Sequence, residues 1–567
     1  MKSLTLNSSI TEVLEAMKFQ QDTKMPSGFA VVTDEEGSAV GVISDSDLRR
    51  IFLTTGVSKD SLLAKDLMRK DFIYLFDKEL EVSNFSRLSK MIKSREIENK
   101  ISVQFIPIVN KEMKLIRILH ITDLIESWND LESQIVIIGL GFVGLTLALA
   151  FADKHKFVLG IDIDKNYISD LQSHKSRIYE PDLSTILKRT LNTKLILRNE
   201  LATYSREQNQ QPRNYIICVG TPLINGNLDM SQLEAAIKLV SADLQKGDTV
   251  IFRSTVPVGF TREAGRQIQI QTNLQAGIDF ALCYAPERTV EGNAIKECST
   301  IPQIYSGLTE NCSIKASQIF KHITDSQIKT ESLEACELGK LMTNAFRDVT
   351  FGFANEMATI AKNFNLDINR LIENVNSGYA RNQIAKPSPG VGGPCLSKDS
   401  YILAGVHKSS NSILRAARNI NEQLPIDLAK NLVEISKSSA IINVLIIGIA
   451  FKGEPETNDT RSSTSLIIAR KLAESGLTVR ILDSIVSNSQ IEEIGFAPYS
   501  KHDNWHPSLV CILNNHKQNS FYFKSIIDLD DLRDPISLFD PWYLCSNLYD
   551  DVRIKQVLTI SKKIIHG

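Results

Sequence analysis

No two of the eight cysteines in this 567-residue chain form a CxxC pair, and none stands at ligand spacing from a histidine. That rules out a disulfide framework or a zinc site, leaves no metal to be expected, and fits a reducing cytoplasm. Long basic runs are also missing, and 64 Lys+Arg against 66 Asp+Glu leave a net charge of −2, which argues against nucleic acid as a partner. The N-terminus MKSLTLNSSITEV lacks the apolar core of a signal peptide. One stretch, Ile135 to Ala152, is apolar for long enough to suggest a membrane span. It divides into a β-branched run, a glycine cluster and an Ala/Leu segment, so a buried strand, turn and helix are expected and a membrane is not. A hydrophobic content of 43% is ample for several cores, and the length suggests about four domains.

Residues 1–130 read as two short α/β units. Phe29–Val32 and Ala39–Ile43 are strand-like around the turn Asp34-Glu35-Glu36-Gly37, and a helix is expected from about Ser46. Phe105–Val109, a turn at Asn110-Lys111-Glu112 and Leu115–Leu119 repeat the pattern. This resembles a tandem pair of CBS domains, whose nucleotide motif is matched by Gly41-Val42-Ile43-Ser44-Asp45-Ser46-Asp47. The resemblance implies that Ser44 and Asp47 hold the phosphate and ribose of an adenine nucleotide. In the second copy Arg117 and His120 replace the glycine and hydroxyl and only Asp123 is kept, so one competent site at most is expected. A scaffolding module without ligand is the alternative.

From Gln134 a β-branched run enters Gly139-Leu140-Gly141-Phe142-Val143-Gly144, then a helix, then a strand ending at Asp162, 23 residues beyond Gly139. That is a dinucleotide fingerprint in its strand–turn–helix–strand setting. Gly139 permits the turn, Gly141 admits a pyrophosphate, Gly144 packs helix on sheet, and Phe142 and Val143 open the helix. Asp162 is placed for the adenosine ribose, which favours NAD because a 2′-phosphate would meet its carboxylate. Three further strand ends lead to Gly220-Thr221-Pro222, to Ser254-Thr255-Val256-Pro257-Val258-Gly259 and to Ala285-Pro286-Glu287-Arg288-Thr289-Val290-Glu291. Ligands of open α/β sheets lie outside such ends.

Ser332 to about Asn363 reads as one long helix with Lys340, Asn344 and Arg347 on a narrow face. An isolated buried lysine there would need a partner or a task. Then comes Pro389-Gly390-Val391-Gly392-Gly393-Pro394-Cys395-Leu396-Ser397-Lys398-Asp399. Glycines let backbone press against a bound ligand, and a helix starting after Cys395 would favour its thiolate. Taken alone, Cys395 reads better as a buried structural thiol, and the rest of the chain reverses that. Helical sequence continues to about Lys437, followed by a second strand–turn–helix–strand unit, Ile442 to Asp483, with the basic loop Lys452…Asp459-Thr460-Arg461. Strands near Leu509–Leu513 and Ile536–Phe539 complete the pattern.

These motifs together resemble the UDP-sugar C6 dehydrogenases, over about residues 133 to 545. The resemblance implies an α/β fold: an NAD-binding Rossmann domain (131–330), a central helical domain (331–437) and a C-terminal Rossmann-like UDP-sugar domain (438–567). It implies NAD as cofactor, a UDP-sugar as substrate and a homodimer or higher homo-oligomer. Its chemistry would be oxidation of a C6 alcohol to a uronic acid through a thiohemiacetal and thioester on Cys395. Lys340 and Asn344 would steady the oxyanion, and Asp399 with Thr255 and Glu287 would handle water and protons. Thr221 and Thr255 would touch the nicotinamide half. Arg288, Thr289, Lys340, Asn344, Arg347, Tyr379, Arg381 and Gly392 would hold the sugar, and Lys452 and Arg461 would face the diphosphate or the sugar. Arg288-Thr289-Val290-Glu291-Gly292-Asn293 is similar to the N-acetylhexosamine branch, whereas Tyr379 stands where that branch has a histidine. UDP-N-acetylhexosamine (ManNAc or GlcNAc) is therefore the expected substrate, for polysaccharide precursor synthesis. UDP-glucose, or a catalytically inactive nucleotide-sensing relative, are the alternatives.

Overall fold

The computed structural model describes residues 4–18, 28–54, 61–76, 105–120, 134–154, 156–201, 212–224, 227–381, 383–406, 411–502, 505–529 and 534–565. They divide into two compact units, one ending at Gln134 and one beginning at Ile135.

The first unit is one motif built twice. β1 (Leu4–Thr5) pairs in parallel with β2 (Phe29–Thr33), which pairs antiparallel with β3 (Ala39–Ser44). β4 (Leu75–Phe76), β5 (Phe105–Val109) and β6 (Leu115–His120) repeat that order and those directions. Even the hairpin turns correspond. Asp34 Oδ1 accepts from the N–H groups of Glu36 and Ser38, and Asn110 Oδ1 accepts from those of Glu112 and Lys114. Gly37 has φ +83°, and Met113 adopts φ +61° at the matching place. Alternation buries Ala30, Val32 and Ile43 on one face of the first sheet. Phe29, Val31 and Val42 on its other face share a core with Val109 of the second half. Asp123 lies outside the described residues.

In the second unit an eight-stranded sheet carries the order β16-β15-β14-β13-β10-β7-β8-β9. Its strands are β7 (Gln134–Ile138), β8 (Val158–Ile161), β9 (Leu195–Arg198), β10 (Arg213–Ile217), β13 (Thr249–Phe252), β14 (Ala281–Tyr284), β15 (Gln303–Gly307) and β16 (Gln327–Lys329). The short hairpin β11 (Leu223–Ile224) and β12 (Asn227–Leu228) stands apart. The apolar stretch resolves as β7 followed by the helix Phe142–Asp153, buried continuously from Gly144 to Ala152. No helix among the described residues is long and apolar enough to cross a membrane.

Four helices among the described residues form the middle of the unit, one of them the short Ile368–Asn376. The long central helix runs Leu333–Lys362, with the Ser332 side chain accepting from Ala335 N–H as its cap. The helical run expected after Cys395 is two helices, Leu396–Val406 and Ile413–Ser438, with residues 407–410 outside the described set. A seven-stranded sheet follows, in the order β19-β18-β17-β20-β21-β22-β23. These are β17 (Asn443–Ile447), β18 (Thr478–Leu482), β19 (Ala497–Pro498), β20 (Leu509–Ile512), β21 (Ile536–Phe539), β22 (Ile554–Leu558) and β23 (Lys563–Ile565). Its pairs are parallel until β23, which runs antiparallel along one edge.

Candidate active site

The dinucleotide loop has the form its glycines require. Gly139 turns at φ +89°, and a Cβ on Gly144 would lie 1.8 Å from the Gly139 carbonyl oxygen. A Cβ on Gly141 would instead meet nothing within 4 Å. Gly141 caps the helix Phe142–Asp153 in extended conformation, so the helix N-terminus opens onto free space, a seat suited to a pyrophosphate. Asp162 closes β8, with Oδ2 accepting from Leu140 N–H at 2.7 Å and Oδ1 from Asp164 N–H at 3.0 Å. Each oxygen keeps a lone pair for a ribose hydroxyl. The residues present therefore fit NAD.

Asp483, at the end of β18, repeats the pose of Asp162 with a different outcome. Its Oδ2 accepts from Ile449 and Ala450 N–H, and its Oδ1 from Ile485 and Val486 N–H. Gly448 turns at φ +88°, but a Cβ there would meet the buried Asn514 amide at 2.4 Å. The Asp483 carboxylate is thus taken up by backbone N–H groups, and the Gly448 turn packs against Asn514.

The long central helix works as a ruler for the site. Glu337 accepts from Gly259 N–H (2.5 Å) and Thr261 N–H (2.8 Å), fixing the turn that follows Thr255. One turn on, Lys340 is buried. Asn344 Nδ2 then donates to Asp399 Oδ2 at 2.6 Å. Asp348 Oδ1 accepts from Arg418 Nη1 and Asn421 Nδ2, both at 2.8 Å. Asp399 is wholly buried, yet its Oδ1 has no hydrogen-bond partner. An unanswered buried carboxylate oxygen is costly, so this atom is suited to a water or a substrate proton.

Cys395 is exposed, whereas the other seven cysteines are buried. Leu396 begins the helix directly after it, as expected. The thiol is nevertheless pushed above its ordinary range. Although its surface is accessible, close walls desolvate it first. Asp399 adds to the shift, Lys340 and Lys398 oppose it, and Glu291 raises it further. The helix terminus does not outweigh these neighbours. The glycines before Cys395 also differ from expectation. A Cβ on Gly392 would lie 2.2 Å from the Ser462 carbonyl oxygen, and one on Gly393 would strike the Phe451 ring at 2.6 Å. They press the loop against protein rather than against open space.

Lys398 carries a contact the sequence reading missed. Its Nζ donates to Thr221 Oγ1 at 2.7 Å and to the Thr221 carbonyl at 2.9 Å, and Thr221 Oγ1 donates to the Thr255 carbonyl at 2.9 Å. Its place three residues after Cys395, inside the motif, was the available signal. Burial lowers its pKa.

Glu287 has different duties from those expected. Its Oε2 accepts from Arg253 Nε (3.0 Å) and Nη2 (2.5 Å), and its Oε1 from Arg288 and Thr289 N–H, both at 2.7 Å. Burial alone would raise its pKa, but Arg253 and these N–H groups hold the carboxyl below the usual range. Such a carboxylate is a poor base. Thr289 Oγ1 is buried without a partner.

Across from the central helix, Lys452 Nζ donates to the Glu291 carbonyl at 2.5 Å and Thr457 Oγ1 donates to Glu291 Oε2 at 3.1 Å. Arg461 pairs with Asp459 and lies 3.7 Å from Glu291 Oε1. Burial and then Asp459 raise Glu291 to about 7, against the pull of Arg461 and Lys452. Burial lowers the pKa of Lys452, Glu291 opposes it, and Arg347, exposed unlike Lys340 and Asn344, lowers it further. Cationic groups thus crowd the cleft, as a diphosphate would require. Arg288, Tyr379 and Arg381 are exposed. Among the described residues neither Tyr379 nor Arg381 has a side-chain hydrogen bond or ion pair to the cysteine cluster. In the first unit, Ser44 Oγ donates to Asp47 Oδ2 at 2.6 Å, while Arg69 lies 3.1 Å from the other Asp47 oxygen. Asp47 is buried.

Comparison with known proteins matches the same regions. Residues 133–324, 334–423 and 445–540 match the NAD binding, central and UDP binding domains of the UDP-glucose/GDP-mannose dehydrogenase family, and residues 1–54 match a CBS domain. The chain is 35% identical over 360 residues to UDP-N-acetyl-D-mannosamine dehydrogenase of Pyrococcus horikoshii, spanning 62% of this chain and 84% of that one. It is 30% identical to the Escherichia coli K12 protein of that name over 358 residues, 60% of this chain and 83% of the relative. The solved P. horikoshii structure superposes with a TM-score of 0.66 at 29% identity, covering 76% of this chain and 99% of the other. The chain belongs to the UDP-glucose/GDP-mannose dehydrogenase family and is an NAD-dependent UDP-sugar dehydrogenase with an N-terminal CBS domain.

Proposed function

We propose that the enzyme oxidises the C6 alcohol of a UDP-N-acetylhexosamine, UDP-N-acetylmannosamine before UDP-N-acetylglucosamine, to the uronic acid through a covalent adduct on Cys395, for polysaccharide precursor synthesis. The observation that carries this reading is the convergence on one exposed thiol of Lys340, Lys398 and Asp399, with Asn344 bonded to Asp399. Similarity to enzymes named for UDP-N-acetyl-D-mannosamine supports the sugar class.

The nicotinamide ring, when bound, accepts one hydride per oxidation. Gly141 and the helix N-terminus behind it bind the pyrophosphate, Asp162 the ribose, and Thr221 with Thr255 the nicotinamide side. Arg288, Thr289, Arg347 and Arg381 serve the sugar, and Lys452 and Arg461 serve the diphosphate. Asp399, through its unpartnered Oδ1, holds a water that takes the hydroxyl proton as the alcohol becomes an aldehyde. Cys395 then gives up its thiol proton to the water at Asp399 as its sulfur forms a bond to the aldehyde carbon, and the oxyanion that develops is met by Lys340 and Asn344. Loss of the second hydride gives a thioester. Water held at Asp399 attacks it, the carbon–sulfur bond breaks, and the thiol and carboxylate are released. The balance is one alcohol, two NAD⁺ and one water to one carboxylate, two NADH and three protons.

The test is stoichiometry with UDP-N-acetylmannosamine. Wild-type protein yields two NADH per sugar, and Cys395→Ser stops at or before the aldehyde. One NADH per sugar, or a fully active serine variant, refutes the covalent route, and a panel of UDP-sugars decides the substrate. A homodimer is part of the same reading, supported by the exposed stripe Leu338, Met342, Phe346, Phe353 and Ile360 on the outer face of the long central helix. For the CBS module the reading is adenine-nucleotide binding at Ser44 and Asp47. Calorimetry with ATP and ADP should show binding that Asp47→Ala weakens, and no binding to wild type would leave scaffolding.

A further inference from the structure

We infer that Arg418 is a positioning residue for Cys395, acting through the backbone carbonyls on either side of it, and that Asp348 holds Arg418 in that role. This rests on the reading of Cys395 as nucleophile and deepens it.

Arg418, on the helix Ile413–Ser438, is 1% exposed. Its Nη2 donates to the Val391 carbonyl at 2.7 Å, and its Nη1 to the Leu396 carbonyl at 3.4 Å and to Asp348 Oδ1 at 2.8 Å. Val391 stands before Cys395 and Leu396 directly after it, so one rigid guanidinium spans the loop that carries the sulfur. A planar fork can hold diverging acceptors in fixed geometry, which a lysine's point charge cannot. Glu422 lies 3.2 Å from Arg418 Nε on the same helix. Asn421, one position before it, donates to both the Asp348 carbonyl (2.9 Å) and the Asp348 carboxylate.

Burying an ion pair this completely is a poor way to stabilise a helix junction, because apolar side chains of similar bulk usually do at least as well. What the pair supplies is placement. Asp348 follows Asn344 by one turn on the long central helix, and Asn344 fixes Asp399. One helix thereby sets both the loop bearing the sulfur and the groups the sulfur must work with, so their separation has a single origin. On the loop's other side Ser462 and Phe451 leave no slack.

The test compares Arg418→Lys with Leu472→Ala, a destabilising control in the C-terminal core. Two readouts are taken: steady-state kinetics, and iodoacetamide alkylation across pH, which reports on Cys395 because the other seven thiols are buried. For Arg418→Lys, kcat should fall about tenfold to a hundredfold with KM for the UDP-sugar within about threefold, and the alkylation profile should move. Leu472→Ala should lower the melting midpoint and leave both readouts in place. If Arg418→Lys does not fold, Asp348→Asn carries the test on the same criteria. Wild-type kcat and alkylation in the folded variant, or an identical loss in Leu472→Ala, overturns the inference. A fully active Cys395→Ser would instead overturn the reading beneath it, so the two failures are distinguishable.

Discussion

Lys398 Nζ donates to Thr221 Oγ1 at 2.7 Å, joining the helix that follows Cys395 to a loop at the carboxyl edge of the first sheet. This cation links the sulfur's element to the cofactor side of the cleft. Lys398→Met should lower kcat/KM for NAD⁺ by about tenfold or more, while the melting midpoint, read by calorimetry, moves little. Unchanged kinetics would show that the contact is dispensable.

The Cys395 thiol is raised by desolvation between close walls and by Asp399, and lowered by Lys340 and Lys398. The pH midpoint for its alkylation in the ligand-free enzyme should therefore lie above that of an ordinary cysteine. Asp399→Asn removes a negative neighbour and should bring the midpoint down, and Lys340→Met removes a positive one and should take it up. Stopped-flow alkylation checks both signs, and shifts in the opposite directions would contradict the charge map.

Glu291 gives a stability signature. Its folded pKa is about 7, against an ordinary 4.5. Between those values the unfolded chain has released a proton that the folded chain still holds, so stability falls as pH rises through that window. Urea midpoints measured from pH 5 to 7 should decline in the ligand-free enzyme, and Glu291→Gln should flatten the slope. An equal slope in the variant would place the titration elsewhere.

The outer face of the long central helix exposes Phe346 (71%) and Phe353 (49%). Apolar patches of that kind mark interfaces. Sedimentation should find a dimer for wild type and a monomer for Phe346→Asp/Phe353→Asp. A wild-type monomer would remove the dimer from the reading.

The first dinucleotide unit was legible because its glycines and β-branched run are local signals. Lys340 and Asn344 were legible as a helical stripe for the same reason. The continuation of that stripe to Glu337 and Asp348 was not, since their partners Gly259 and Arg418 lie 78 and 70 residues away. Glu287 likewise read as a candidate base until Arg253, 34 residues earlier, was seen to occupy its carboxylate. The glycines around Cys395 announced close approach but not to what. β22 and β23 left no pattern strong enough to read, because their short apolar runs carry no punctuating turn residues.

With Asp483 spent on four backbone N–H groups and Asn514 lodged under Gly448, the full dinucleotide fingerprint among the described residues is built once, from Gly139 to Asp162. The four-electron oxidation proposed above would then seat its two oxidants there in succession. Between them the half-finished sugar is a reactive aldehyde that could diffuse away. On the mechanism proposed here the sulfur bond doubles as a leash, keeping the sugar moored while the spent nucleotide leaves and a fresh one arrives.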